Sequence, residues 1–199
     1  SPLNPELIIQ YKKIFFSDFK LHDGLFDVYF NNKFNKLEYY DSPFNNFEYQ
    51  SSWFNQPLAN SLHKLKSLTH IIFGSRFNQQ LGNALNNCTS LTHIVFGDKF
   101  NQPLDNSLDN CTTLTHIVLG NHFDQSLTNS LDNCTTLTHI VFGNNFNQPL
   151  ANSLDNCATL FHIKFGWAFN QHLANSLDNC TALTHITFGL MFNKPLTNS

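Results

Sequence analysis

The chain is short of charge. Asp, Glu, Lys and Arg make up 13% of its 199 residues, and the net charge is −3 with histidine neutral. That is about half the usual charged share. With only 11 Lys and Arg it is a poor candidate for nucleic-acid binding, which needs clustered cations. Nor is it a highly charged disordered chain. No apolar run approaches the ~18 residues needed to cross a bilayer, so no membrane partner is expected. There is no C-x-x-C pair, which argues against a tetrahedral zinc site. There is no nucleophile elbow, phosphate loop, H-E-x-x-H or pair of acids at special positions, so an enzyme is the weakest class. Position 1 is Ser and not Met, read as a trimmed start from which a signal peptide could have been lost.

What the chain has in excess is Phe, with 21 copies against one Met. Seven of them open a repeat. Phe54-Asn55-Gln56-Pro57-Leu58 returns as Phe77-Asn78-Gln79-Gln80-Leu81 and Phe100-Asn101-Gln102-Pro103-Leu104. It returns again at Phe123, Phe146, Phe169 and Phe192, always 23 residues on, without insertion or deletion. Residues 54–199 therefore hold six full units and part of a seventh. Strict phasing of this kind is what a stacked solenoid requires. Residues 1–53 fall outside the register and are read as an N-terminal cap, with a helix over about 4–19 and one or two decayed repeats behind it. Asn4 would be its N-cap and Pro5 its first helical position. The far end shows no comparable cap, so it is expected either to continue into a longer array or to dock against another subunit.

Within a unit, Leu91-Thr92-His93-Ile94-Val95-Phe96-Gly97 reads as the strand, rich in β-branched and aromatic residues. Leu91, Ile94 and Phe96 are expected to face inward, in the L-x-x-L-x-L spacing of a leucine-rich repeat. Gly97 and its copies are expected to end the strand at a turn with positive φ. Phe100 and Leu104 should be core, with the phenylalanines stacked at strand spacing. Asn101 and Gln102 should form amide ladders. Leu108, Cys111 and Leu114, at i, i+3 and i+6, suit a short helical or 3₁₀ turn on the convex side. The fold class is thus an α/β or mainly-β repeat: a leucine-rich-repeat-like solenoid of 23-residue coils, one parallel sheet, short helical turns and a capped N-terminus.

The F-N-Q-P-L block joined to S-L-T-H-I-x-F-G resembles the FNIP repeat, a member of the leucine-rich-repeat superfamily. The N-C-T-x-L-T-x-I portion is similar to the cysteine-bearing leucine-rich repeats of some bacterial surface proteins, which share the period. FNIP arrays are known mainly from slime moulds and giant viruses of amoebae. They often follow an F-box, which implies the substrate receptor of a ubiquitin ligase. Residues 1–53 do not match an F-box convincingly, so this form of the reading calls for an adaptor-binding segment upstream.

Cys88, Cys111, Cys134, Cys157 and Cys180 share one repeat position. Five thiols pointing the same way make no disulfide framework; they are read as small buried hydrophobes. Reduced thiols, and N-C-T sequons too crowded to glycosylate at Asn87, Asn110, Asn133 and Asn179, suggest a cytoplasmic location, in the host if the protein is viral. Asp109, Asp132, Asp155 and Asp178 are explained by free N–H groups in the convex turn, without calcium.

The functional hint lies on the strand. His70, His93, His116, His139, His162 and His185 alternate with inward residues and so face outward. Beside them runs an aliphatic column, Ile72, Val95, Val118 and Val141, which turns polar at Lys164 and Thr187. Exposed aliphatics in a row mark contacts. The column is open to three readings: stacked neutral imidazoles as a structural ladder, a protein-binding surface shared with the valines, or metal ligands, for which parallel rings converge poorly. Phe161, Lys164 and Trp167 break the pattern most and form the candidate hot spot. The expected function is a non-enzymatic protein–protein interaction scaffold without cofactors. The alternative is a structural repeat that self-associates through its uncapped end.

Overall fold

The computed structural model describes residues 55–58, 62, 66 and 68–196, and the backbone of three short strands before them. Those strands are β1 (Lys13–Phe15), β2 (Leu21–His22) and β3 (Leu25–Phe26). Each coil then supplies one strand: β4 (His70–Ile72), β5 (His93–Val95), β6 (His116–Val118), β7 (His139–Val141), β8 (His162–Lys164) and β9 (His185–Thr187). β1 and β4 to β9 form one parallel sheet in which like pairs with like: His70 opposite His93, Ile71 opposite Ile94, Ile72 opposite Val95, and so along the array.

The strands are shorter than the expected span of Leu91 to Gly97. The ends are taken up by turns: the Leu91 N–H bonds the Cys88 carbonyl at 3.0 Å, and the Gly97 carbonyl accepts from the Phe100 N–H at 3.1 Å. The helix expected over 4–19 is corrected at its described positions. Lys13, Ile14 and Phe15 pair in parallel with His70, Ile71 and Ile72, which occupies backbone groups along one edge of β4. The rest of the proposed cap lies outside the described residues.

The core follows the period. Leu91, Ile94, Phe100, Leu104, Leu108 and Cys111 are fully buried, as are their copies through Phe169. Phe77, Phe100, Phe123, Phe146, Phe169 and Phe192 stack in one column with centroids 6.0–6.1 Å apart, in the offset arrangement aromatic rings prefer. The strand phenylalanines form a second column that packs on the first: Phe96 lies 4.2 Å from Phe100 and Phe165 lies 3.9 Å from Phe169.

A polar ladder runs beside this spine. The Asn101 N–H donates to Asn78 Oδ1 at 2.8 Å, and the Gln102 amide donates to the same oxygen at 3.1 Å. The next coil repeats this on Asn101, with the Asp124 N–H at 2.9 Å and the Gln125 amide at 3.0 Å. Only an acceptor is needed here. That is why Asp124 can stand in the row and serve Asn147 and Gln148 in turn at 2.9 and 3.0 Å. Asn101→Asp should therefore be nearly neutral. Asn101→Leu strands a backbone N–H and should cost about 1–3 kcal/mol in urea denaturation.

One further expectation is corrected, that for the strand-end glycines. The convex segment takes the 3₁₀ form of the expected turn, with no regular helix among the described residues. It is a series of turns closed over three residues: Ser107 N–H to the Leu104 carbonyl at 2.7 Å, Cys111 N–H to Leu108 at 2.9 Å, and Leu114 N–H to Cys111 at 3.0 Å. A residue with positive φ opens the segment, at Gly82, Asp105, Asn129, Ala151 and Ala174. The glycines after the strands do not have positive φ; of the described glycines only Gly82 does. They are small because the coils touch there. A methyl group on Gly97 would overlap the Gly74 carbonyl and lie 2.8 Å from the Ser75 Cα.

Candidate functional site

The outward side of the sheet is built on a Thr-His pair. Thr92 Oγ1 donates to the Thr69 carbonyl at 2.9 Å, Thr115 Oγ1 to the Thr92 carbonyl at 3.0 Å, and Thr138 Oγ1 to the Thr115 carbonyl at 3.0 Å. Each hydroxyl has one proton and has spent it. The same oxygens lie 2.8–2.9 Å from Nδ1 of His93, His116 and His139. That contact is therefore donated by the imidazole, which fixes the Nδ1–H tautomer and leaves Nε2 as an acceptor. The threonines were missed in the sequence as part of this site; the recurrent Thr-His dipeptide was the signal.

Held in this way, the rings stack face to face. Centroids are 4.2 Å apart for His70 and His93, 4.3 Å for His93 and His116, and 4.4 Å for His116 and His139, all within 9° of parallel. Burial, and then the neighbouring charges of His93 and His139, lower the His116 pKa to about 4. Burial also lowers His139, and His162 is lowered by burial, by His139 and His185, and by Lys164. His116 and His139 are thereby neutral at pH 7, and the stacked rings set their Nε2 atoms side by side, which do not converge on one ion. Among the described residues no group of three His, Cys, Asp or Glu could hold a metal.

The row breaks at β8. His162 stands at 72° to His139 and 61° to His185. Phe161 occupies the threonine position there, so the hydroxyl that receives Nδ1 in the coils of β5 to β7 is replaced by a phenyl ring. The phenyl ring instead leans on His139 at 6.0 Å and His185 at 5.1 Å.

The aliphatic column is more covered than the sequence suggested. Val95 and Val141 are buried, and Ile72 and Val118 are half-buried. In-register branched side chains at strand spacing shield one another. Phe161 is 42% exposed and Trp167 is 57% exposed. Phe161 immediately precedes β8 and Lys164 ends it, whereas Trp167 sits beyond it, in the turn after Gly166. The structure thus brings the histidines and valines together and leaves Trp167 at the rim.

The five cysteines are free and buried. Burial pushes their thiols up, to about 11 for Cys88 and Cys180 and about 12 for Cys111 and Cys157. Thiols so rarely ionised are poor nucleophiles and poor metal ligands.

A 23-residue coil with one three-residue strand, in-register parallel pairing, an L-x-x-L-x-L core and a buried cysteine is a leucine-rich-repeat unit. Its sequence matches the BspA-type leucine-rich repeat region, in six copies over residues 9–125, 38–161 and 127–194. The chain belongs to the BspA-type leucine-rich repeat family. Among solved structures, this BspA-type chain is similar to CroV588, described as a novel circular leucine-rich-repeat protein. The two are 39% identical over 72% of this chain and 20% of that one, with a TM-score of 0.62. An internalin (InlF) of Listeria monocytogenes shares the fold, at 20% identity over 65% of this chain and 37% of that one, with a TM-score of 0.52. The BspA-type chain thus spans about a fifth of CroV588 and just over a third of the internalin. No protein of curated function matches it.

Proposed function

We propose that the chain is a non-enzymatic protein–protein interaction scaffold that engages its partner through the outward face of the parallel sheet, from His70 to His185. The observation that carries this is the threonine-locked histidine row. It presents Nε2 acceptors at regular spacing on a face too rigid to pay much ordering entropy on binding. Leucine-rich repeats in general act as protein-binding surfaces, and solenoids offer extended faces for the purpose. Catalysis is a poor fit, because these polar groups recur coil after coil and an active site is singular.

The FNIP resemblance supports a finer form: the substrate-recognition part of a ubiquitin-ligase adaptor, acting in the cytoplasm, or in host cytoplasm if the source is a virus. Five free thiols suit a reducing compartment. The test is partner recovery on immobilised protein. Val118→Lys should weaken capture about ten-fold or more, while Thr112→Lys on the convex side leaves it unchanged. Equal capture by both variants would reject the sheet face.

A second reading, self-assembly, has one observation in its favour. The coil of β9 exposes Ile186, Leu190, Met191 and Leu196. That the similar CroV588 is described as circular supports this reading. Sedimentation velocity that rises with protein concentration favours this reading; a constant monomer disfavours it.

A further inference from the structure

We propose that coil β8 carries a distinct docking site for an extended acidic peptide with apolar side chains, formed by Phe161, His162 and Lys164 with Trp167 at its rim. This rests on the reading of the sheet face as a binding surface and names the partner class at one place on it.

The argument starts from what is singular. Phe161 replaces a threonine found immediately before β4 to β7 and β9, and Lys164 replaces the aliphatic residue of the four preceding strands. Both substitutions fall in one coil, one just before β8 and one at its end, and both side chains reach the surface. The backbone beneath them is unchanged: the Phe161 N–H bonds the Thr138 carbonyl at 2.8 Å, and the Phe161 carbonyl receives the Thr184 and His185 N–H groups at 3.2 Å. The departure is thus confined to side chains. It exposes a large aromatic surface, turns His162 out of the stack and adds a fixed cation.

Charge selects the occupant. The outward positions of the described coils hold Thr, His, Ile, Val, Phe and Lys, and no carboxylate. Of the described acids outside the convex turns, Asp124 lies two coils before the β8 coil and Asp98 three, or about 10 and 14 Å at strand spacing. An aromatic flanked by a cation, on a face without negative charge, favours a segment that alternates carboxylates with apolar groups. Every second side chain of an extended peptide points to the same side, so carboxylates could meet Lys164 and His162 while apolar groups lie on Phe161.

The preceding coil supplies the control, because Thr138, Val141 and Asn144 hold the equivalent positions. The triple variant Phe161→Thr, Lys164→Val, Trp167→Asn converts β8 to that pattern and should fold with a melting temperature at or above the original. The probe is a fluorescein-labelled peptide alternating Glu with Leu, followed by anisotropy, with a Lys-for-Glu version as comparison. The acidic peptide should bind saturably, weaken with added salt, and bind the triple variant about ten-fold or more weakly. Equal binding to the triple variant, equal binding of the basic peptide, or no saturable binding would each overturn the proposal. Loss of partner capture in Val118→Lys, with capture intact in the triple variant, would reject this site and keep the broader reading.

Discussion

Gly143→Ala should destabilise the array by about 3 kcal/mol or more, at or above the top of the usual range for overpacking. A methyl group there would overlap the Gly120 carbonyl and sit 2.7 Å from the Asn121 Cα. Those atoms are backbone and cannot retreat by changing rotamer. The Gly120 carbonyl already accepts from the Phe123 N–H at 3.1 Å, so moving it breaks a second contact. Because each coil touches only its neighbours, a wedge at one interface should uncouple the coils on either side. Urea denaturation should then lose cooperativity, and hydrogen exchange should rise on the C-terminal side first. Gly82→Ala is the contrast. Nothing lies within 4 Å of a methyl group there, and Ala151 and Ala174 already occupy the equivalent position at φ 42° and 43°. Its cost should stay within about 1 kcal/mol. Equal costs for the two variants would mean that the coils are not in backbone contact.

The second large effect is loss of stability in weak acid. His116 titrates at about 4 in the folded chain, while an unfolded histidine titrates near ~6.5. As pH falls, the unfolded chain takes up the proton first. The stabilisation is therefore complete above ~6.5 and is lost progressively down to about 4. The ring is part-exposed, so solvent screening limits its share to roughly 1–2 kcal/mol. His139 and His162 are shifted the same way and add to it. Melting temperature should fall steadily from pH 7 to 5, a range in which ordinary carboxylates stay ionised. A flat profile would show that the rings are not packed side by side.

How far the sequence could be read depended on whether a feature is local to one coil. The period of 23, the inward Leu91, Ile94 and Phe100 and the buried cysteines each follow from spacing along the chain, and all were legible. The reason for Gly97 was not, because it lies in the distance to the Gly74 carbonyl, which no single coil encodes. The same holds for the cover over Val95, which comes from its neighbours above and below. The convex turn was read as a short helical or 3₁₀ turn because Leu108, Cys111 and Leu114 are spaced by three, and the 3₁₀ form is the one whose closures match that spacing. The residue of positive φ before it shifts with local chemistry: it is Asp105 in one coil and Asn129 in the next, one place later, because β-branched Thr128 resists positive φ. The site was half legible. The histidine row could be seen, but the threonine that sets its tautomer is understood only once its hydroxyl proton is placed on the preceding coil.

That tautomer is the point on which the binding face depends, and nitrogen-15 NMR of the histidine side chains reads it directly. At pH 7, His93, His116 and His139 should show a protonated Nδ1 and a bare Nε2, with His116 holding that state until about pH 4. A protonated Nε2 in these rings, or titration of His116 near ~6.5 like a free histidine, would contradict the locked, stacked row.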